Sequence, residues 1–208
     1  MKKFGMFVCV TALFCATSVF GAEGRPYFSV SAGLFLPEDS TLTDNVGDQA
    51  EASFDTGYVM SGAGGYAFDN GLRIEGELSY RQADMDQIKV PGVGQGKVNS
   101  DVWALTGLAN VFYDIKTGTP VTPYVGGGVG ISSVNIERGT SSNGTLLWTK
   151  DDDTVFAYQA AVGVGLAAGK NVIVDIGYRY FGTQDVQFDL SEAEFSSHNI
   201  MVGARFMF

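Results

Sequence analysis

The chain has 208 residues, which is enough for one domain of ordinary size. Its 13 basic and 23 acidic residues give a formal net charge of −10, which argues against nucleic acid as a partner because phosphate binding requires clustered lysine and arginine. The 28 glycines and the 12% aromatic content favour β-structure over helices, where glycine costs about 1 kcal/mol relative to alanine.

The first 22 residues show the order of a secretory signal peptide. Two lysines precede an apolar run over residues 4–20, and two small residues follow at 21–22. We therefore predict a signal peptide over residues 1–22, cleaved near 21–22, ahead of a mature domain over residues 23–208. An uncleaved anchor is disfavoured because the run is short for a membrane-spanning helix, which needs about 20 residues.

The two cysteines, Cys9 and Cys15, both lie in this leader, so the mature chain is expected to contain no disulfide. Neither cysteine follows the small residue that a lipoprotein cleavage site requires, so lipidation is not expected. No mature segment approaches about 18 consecutive apolar residues, and the sequence therefore predicts no membrane-spanning helix.

Eight segments of the mature chain alternate between apolar and polar or small residues with the period of two that is typical of β-strands. They lie at 27–36, 54–68, 71–82, 101–115, 123–136, 154–168, 171–183 and 198–208. In the third segment, Leu72, Ile74 and Leu78 alternate with four charged residues of both signs. The seventh spans 13 residues, which suits a tilted strand crossing a bilayer, at roughly 9–11 residues, better than a soluble strand of about five or six. We therefore expect the apolar faces to meet lipid and the charged faces to line a barrel interior.

The connections between these strands alternate between long and short. The four long, polar connections span residues 37–53, 83–99, 137–153 and 184–196. Short turns join the other strands, including the hairpin signal Asp69-Asn70-Gly71. An even strand number with short periplasmic turns and longer outer loops is typical of bacterial outer membrane barrels. The sequence therefore predicts an all-β fold, an eight-stranded antiparallel up-and-down transmembrane β-barrel with short periplasmic turns and four long extracellular loops.

Charged residues of both signs fall on the inward face of the predicted strands. They are Arg73, Glu75, Glu77, Arg81, Asp175, Arg179 and Arg205. Because an eight-stranded barrel is just wide enough inside for side chains, we expect a mutually paired charge network that fills the interior. A gated ion path is the alternative interpretation of the same residues.

Aromatic residues lie near both ends of the strands, as expected of the belts that mark the two membrane interfaces. The predicted aromatic girdle comprises Tyr80, Trp103, Tyr158, Tyr178, Tyr180 and Phe206. Its position supports the assignment of the long connections to the outer side.

Three strand sequences and the last residue carry a family resemblance. They are YVGGGVGI at 124–131, AYQAAVGVGL at 157–166, NVIVDIGYRYF at 171–181 and the terminal Phe208. Together they resemble the opacity-type, OmpA-like eight-stranded outer membrane β-barrels, a superfamily that includes surface antigens. The resemblance covers essentially the whole mature chain and implies a place in the cell outer membrane of a Gram-negative bacterium. It also implies that Phe208 is the signal read by the outer membrane insertion machinery.

The sequence offers only weak candidates for catalysis or for a bound cofactor. His198 is the only histidine and shares a strand face with Ser196, as in the lipid A deacylases that resemble this barrel, but an obvious third catalytic member is missing. The acidic run 151–153 lacks the glycine-containing loop of a specific calcium site. The glycine-rich strands lack the strand–loop–helix context of a nucleotide-binding loop. We therefore expect no enzyme activity, no metal and no cofactor.

The stretch Leu146-Leu147-Trp148 is an apolar cluster in an otherwise polar connection. It is either a contact patch, because tryptophan is favoured at interface hot spots, or part of a hairpin that continues the adjacent strands and buries the cluster. We favour the hairpin, since scattered exposed apolar residues are normal.

These patterns predict an outer membrane, surface-exposed β-barrel protein with a structural, adhesin or surface-antigen role. The expected partners are outer membrane lipid, lipopolysaccharide and the insertion machinery, with a host or surface ligand recognised through the long connections and no nucleic acid. A small porin-like channel for ions or small solutes is the alternative, and a lipid A-modifying enzyme is a more remote one.

Overall fold

The computed structural model describes the backbone at residues 23–38, 40–44, 49–90, 94–136, 139–141, 146–148, 151–184, 186–188, 191–193 and 195–208. Side chains are described at residues 23–38, 55–84, 102–135, 154–184 and 195–208. The predicted signal peptide over residues 1–22 lies outside the described residues, so its cleavage stays a prediction.

The described part of the chain forms fourteen β-strands and no helix. In chain order the strands are β1 (Gly24–Pro37), β2 (Ser40–Asp44), β3 (Gln49–Phe54), β4 (Gly57–Phe68), β5 (Leu72–Val90), β6 (Gly94–Asp114), β7 (Val121–Ile136), β8 (Gly139–Ser141), β9 (Leu146–Trp148), β10 (Asp151–Ala167), β11 (Val172–Thr183), β12 (Val186–Phe188), β13 (Ser191–Ala193) and β14 (Ser196–Met207). None of the described residues belongs to a helix that is long and apolar enough to cross a membrane.

The eight long strands close into an antiparallel barrel. Around the barrel the order is β1-β4-β5-β6-β7-β10-β11-β14, and β14 returns to β1. Val30 of β1 pairs with Ala204 of β14 on one side and with Gly62 of β4 on the other. Because each barrel strand has a neighbour on both sides, its backbone N–H and C=O groups find partners without an open sheet edge. The predicted eight-stranded up-and-down barrel is confirmed.

Alternation along the strands separates an exposed apolar face from a buried one. On β5, Ile74 and Leu78 are 41% and 59% exposed, whereas Arg73 and Glu77 are each 5% exposed. Hydrocarbon offers no partner to a charged group, so the exposed apolar face is the one that meets lipid. The charged face therefore lies inside the barrel.

A tight turn joins β4 to β5 at the end of the barrel that carries the short turns, which we call the inner end; the opposite end is the outer end. Gly71 has a φ of 94°, a left-handed conformation that glycine adopts without steric cost. Its N–H donates to the carbonyl of Phe68 over 3.0 Å, and the N–H of Leu72 donates to the Asn70 side chain over 2.9 Å. The hairpin turn predicted at Asp69-Asn70-Gly71 is therefore present.

The prediction that the four long connections are loops is wrong for much of their length. Strands β5 and β6 continue through most of 83–99, and 37–53 contains β2 and most of β3. Likewise, 137–153 contains β8, β9 and the start of β10, and 184–196 contains β12 and β13. Pairing satisfies the backbone groups of these polar segments. A strand that rises above the bilayer has no lipid-facing side, so it lacks the apolar alternation by which a sequence reveals a strand.

Candidate functional site in the barrel interior and at the outer rim

The inner half of the barrel holds ion pairs that meet at Asp114. This carboxylate, at the end of β6, accepts a hydrogen bond from Arg73 Nε at 2.9 Å and another from Arg205 Nη1 at 3.1 Å. Arg205 also donates to both oxygens of Asp175, through Nε at 3.1 Å and Nη2 at 2.7 Å. Such two-point arginine–carboxylate pairing fixes geometry as well as energy. Asp114 is absent from the predicted network, although the alternation of β6 in the sequence already turns it inward.

A second polar layer, nearer the middle of the barrel, is centred on Glu77. Its Oε2 atom accepts from Arg179 Nη1 at 2.6 Å and from Asn110 Nδ2 at 3.0 Å. Gln159 Nε2 then donates to Asn110 Oδ1 at 2.8 Å. The two amides were not among the predicted site residues, because an uncharged inward residue gives no signal of pairing in the sequence.

Glu75 connects the two layers. Its Oε2 atom accepts from the Tyr27 hydroxyl at 2.6 Å and lies 3.9 Å from Arg73 Nη1. Its Oε1 atom accepts from Asn110 Nδ2 at 3.1 Å. One network of side chains therefore crosses the barrel from its inner end to its middle.

Arg81 lies above this network and differs from the other predicted charges. Its side chain is 2% exposed, and Nη1 donates to Ser79 Oγ at 2.9 Å and to Thr106 Oγ1 at 3.2 Å. Its guanidinium lies 3.9 Å from the centroid of the Phe181 ring, a cation–π contact. Within the described residues, the structure joins six of the seven predicted charges in ion pairs and leaves Arg81 with hydroxyl and aromatic partners.

The outer part of the interior also holds a cluster of apolar residues, which we did not predict from the sequence. We call this cluster the apolar plug, and it consists of Phe35, Val59, Ala83, Val102, Ala104, Leu108, Val134, Val155, Ala157, Phe181, Phe195 and Met201. The ring centroid of Phe195 lies 5.8 Å from that of Phe35 and 6.5 Å from that of Phe181. These apolar residues pack at inward positions of the barrel, where Phe181 also lies against the buried Arg81.

A small cavity remains beside the inner ion pairs. It leaves about 30 Å³ for the centres of water molecules and is lined in part by Ser31, Arg73, Asp175 and Arg179. One water needs at least about 10–15 Å³ by this measure, so the space suits one or two waters. Its lining shares no residue with the apolar plug, and the space is far smaller than a solute path.

The outer rim carries a polar cluster on the lipid-facing side, which we call the rim cluster (Glu38, Tyr178, Ser196 and His198). Glu38, directly after β1, accepts hydrogen bonds from Ser196 Oγ and from His198 Nε2, the latter at 2.8 Å. The hydrogen bond from Ser196, and then that from His198, hold the pKa of the Glu38 carboxyl below its ordinary value. The other histidine nitrogen, Nδ1, lies 2.5 Å from the Tyr178 hydroxyl. This cluster ties the first and fourth outer connections to the wall of the barrel.

The rim cluster supplies an acidic group beside Ser196 and His198, but in an order that does not suit nucleophilic catalysis. A serine nucleophile must donate its proton to a base that a third group orients. Here Ser196 Oγ donates to Glu38, and Glu38 lies between the serine and the histidine. The arrangement therefore stabilises the rim, and the carboxylate, not the histidine, accepts the hydrogen bond of the serine hydroxyl.

Aromatic side chains of the predicted girdle meet one another near the outer ends of the strands. Tyr80 and Trp103 stack with centroids 6.0 Å apart, and Tyr158 and Tyr180 lie 6.4 Å apart. Phe206 is placed on the exposed face near the inner end, at 39% exposure. These positions are compatible with two interfacial belts, and the girdle stays a prediction.

Phe208 lies at the seam where the barrel closes. Its N–H donates to the carbonyl of Pro26 at 3.0 Å, and its own carbonyl accepts from Arg25 Nε at 3.2 Å. The Phe208 side chain is 70% exposed. Its role as an insertion signal stays a prediction.

The remaining candidates add no further site. The side chains of residues 151–153 lie outside the described ones, and among the described residues no group of three or more histidine, cysteine, aspartate or glutamate side chains could hold a metal ion. The glycines at 126–130 lie within β7, and at Gly130 an added Cβ would fall 1.9 Å from the carbonyl oxygen of Gly107. Leu146-Leu147-Trp148 forms β9, whose side chains also lie outside the described set.

Comparison with known families gives one match over nearly the whole chain. The model of the outer membrane protein beta-barrel domain matches residues 7–206. An outer membrane protein of Gluconacetobacter diazotrophicus is 34% identical over 52% of this chain and 30% of its own length. The outer membrane protein PagN of Salmonella typhimurium is 26% identical over 53% of this chain and 52% of its own length. The chain thus spans about half or less of the length of these curated relatives.

Comparison with solved structures shows the same fold. The outer membrane protein OprG from Pseudomonas aeruginosa superposes with a TM-score of 0.62 at 15% sequence identity, over 90% of this chain and 97% of that one. At this identity the likeness concerns the backbone architecture alone.

Proposed function

The chain belongs to the outer membrane protein β-barrel family and lies among the lipids of the Gram-negative outer membrane, and from this premise we propose that it is a surface protein with an adhesin, antigen or structural role. In this proposal the barrel is a rigid support. Recognition takes place in the outer connections, which rise above the membrane and are where such scaffolds place their binding residues.

The observation that carries the proposal is the filled interior. Ion pairs and amides occupy the inner and middle parts, and the apolar plug occupies the outer part. Buried charges that are paired and hydrogen-bonded tolerate removal from water, whereas an open lumen would leave them hydrated. A barrel filled in this way offers its outer surface, and not its lumen, for function.

A small porin-like channel is the less supported alternative. Such a channel would need the apolar plug to open and the pairs around Asp114 and Glu77 to separate. The cavity of about 30 Å³ beside them is no larger than one or two waters require.

We further propose that the protein is not an enzyme. The one histidine and its neighbouring serine both bind the same carboxylate, Glu38, so the histidine does not take the position of a base that a third group orients toward the serine. Unchanged lipid A mass spectra on expression of the protein would support this, and a deacylated species would contradict it.

The test of the proposed function combines two measurements. The chain is expressed on a non-adherent laboratory bacterium, and attachment to epithelial monolayers and to matrix-coated surfaces is compared with an empty-vector control. In parallel, the purified barrel is inserted into planar bilayers. We expect increased attachment and no steady conductance. Steady, ion-selective openings without increased attachment would replace the surface role with the channel.

A further inference from the structure

The sheet closes in the membrane but stays open above it. We call the part above the barrel the crown, and it comprises β2, β3, the outer parts of β5 and β6, β8, β9, β12 and β13. Its strands follow the order β12-β13-β2-β3-β5-β6-β8-β9. The described strands give no partner that joins β9 to β12. The crown therefore has two edges, one at each of these strands.

Among the described strands, the edge at β9 has fewer neighbouring strands than the edge at β12. Strand β12 lies against β10, whereas β9 is held by its pairing with β8, at Gly139 with Trp148 and Thr140 with Leu146. Strand β8 in turn pairs with β6 at Val98 and Asn99. The predicted hairpin continues the two flanking strands and buries Leu146-Leu147-Trp148. The β8–β9 pair extends the sheet sideways from β6 instead, and the burial of these side chains lies outside the described residues.

The sequence of β9 lacks the charged residues and prolines that protect many sheet edges, and the strand is short, at three residues. Edge strands usually carry lysine, proline or an inward charge, which prevent a further strand from pairing with them. Residues 146–148 are Leu-Leu-Trp and contain none of these. Outward backbone N–H and C=O groups with an apolar, tryptophan-bearing sequence favour the addition of an extended peptide.

The charge of the crown defines the chemistry of that peptide. The four connections 37–53, 83–99, 137–153 and 184–196 contain 15 acidic and 4 basic residues, a net charge of −11, against −10 for the whole chain. This field attracts lysine and arginine and repels polyanions such as sulfated polysaccharides.

We propose that β9 is a strand-addition site, at which an extended, lysine- or arginine-bearing segment of a partner protein pairs antiparallel with Leu146–Trp148 at the open edge of the crown. The inference rests on the proposed surface role, for which it names the partner chemistry. Backbone pairing gives the peptide its position, and the acidic crown selects its charge.

The first test uses the purified full-length barrel in detergent micelles and a capped seven-residue peptide of alternating lysine and valine with ¹³C-labelled carbonyls. We expect binding with an isotope-edited infrared band typical of paired strands. The same peptide with every backbone nitrogen methylated keeps the charge but loses the N–H groups of both strand edges, so its affinity should fall at least about tenfold. A glutamate-for-lysine peptide should not bind. Equal binding of the N-methylated peptide would show charge attraction alone and overturn the proposal.

Protein variants locate the edge. Leu147→Pro should weaken binding of the lysine–valine peptide at least about tenfold, because proline blocks strand pairing at β9. Gln187→Pro, the matched change in β12, should leave binding unchanged. Heat-modifiable gel mobility verifies that each variant is folded. The reverse pattern, or a dimer of the protein that Leu147→Pro abolishes, would overturn the assignment to a foreign peptide.

The peptide assay tests the strand-addition site and the attachment assay tests the surface role, so each hypothesis can be refuted without the other. Attachment that depends on the protein but survives Leu147→Pro, with no peptide binding, would refute the strand-addition site and leave the surface role intact. Peptide binding that Leu147→Pro removes, without any attachment by expressing cells, supports the edge site and contradicts the adhesin role.

Discussion

Replacement of Glu77 by glutamine tests whether the interior is held by paired charges. The Glu77 side chain is 1% exposed, and its Oε2 atom accepts from Arg179 at 2.6 Å, Asn110 at 3.0 Å and Gln159 at 3.4 Å. Glutamine keeps the volume but removes the charge, which leaves the guanidinium of Arg179 inside the barrel without its ion-pair partner. Breaking a buried pair from one side costs about 3–5 kcal/mol.

The expected loss lies at the lower end of that range. Arg179 is 15% exposed and lines the small cavity, so water can solvate part of its charge. We therefore expect Glu77→Gln to lower the free energy of unfolding by about 3 kcal/mol, or roughly a hundredfold in the folding equilibrium. The double variant Glu77→Gln with Arg179→Met removes both charges and should recover most of the loss, since apolar replacement of a buried pair is often neutral.

The assay is urea unfolding of the protein refolded into phospholipid bilayers. Tryptophan fluorescence reports the transition, and gel mobility of unboiled samples reports the folded barrel. A loss below about 1 kcal/mol, or no recovery in the double variant, would refute the view that the Glu77–Arg179 pair holds the interior together. Unchanged stability with altered bilayer conductance would instead favour the ion path.

Three further predictions concern the strand face that meets lipid, the close approach of Gly130 to Gly107, and the pH dependence of stability. Ile74→Arg, on the lipid face, should cost roughly 2–4 kcal/mol in the same urea assay, and equal or better tolerance of this change than of Glu75→Leu would contradict the facing. Gly130→Ala should lower stability by about 1–3 kcal/mol, because its Cβ would lie 1.9 Å from the carbonyl oxygen of Gly107. Gly107→Ala, with nothing within 4 Å of the new Cβ, is the matched control, and equal losses would disprove the close approach. Since hydrogen bonds hold the pKa of Glu38 below its ordinary 4.5, its contribution to stability is complete above pH 4.5 and is lost as the pH falls through the lowered folded-state value. The difference in urea midpoint between wild type and Glu38→Gln should therefore shrink as the pH falls below 4.5, and a difference that grows over that acidic range would be the wrong sign.

The alternation of apolar and polar residues in the sequence was sufficient to predict the barrel and which face of each strand meets lipid. In the run from Leu72 to Arg81, a lipid-compatible face and a charged face are separated by the two-residue period of a strand, and no other regular structure produces that separation. The same rule turns Asp114 and Asn110 inward, but it cannot reveal that Asp114 bridges two arginines. That bridge depends on which strands the closed barrel brings opposite each other.

The outer connections show where sequence patterns stop being informative. Residues 40–44 and 191–193 form strands although no apolar alternation marks them, because pairing with neighbouring strands satisfies their backbone groups. The rim cluster likewise depends on the pairing of strands that are far apart in the chain. Glu38 and His198 are 160 positions apart in the chain, and only the pairing of β1 with β14 brings them together.

The membrane barrel, its eight strands, the face that meets lipid and the side of the acidic connections could all be predicted from residue order, because these depend on local periodicity and on the cost of placing charge in hydrocarbon. The pairing of the charges, the contacts among Phe35, Phe181 and Phe195, and the edge that the described strands of the crown leave at β9 became visible in the folded barrel. These features are contacts between residues far apart in the chain, and the register of a closed sheet sets them.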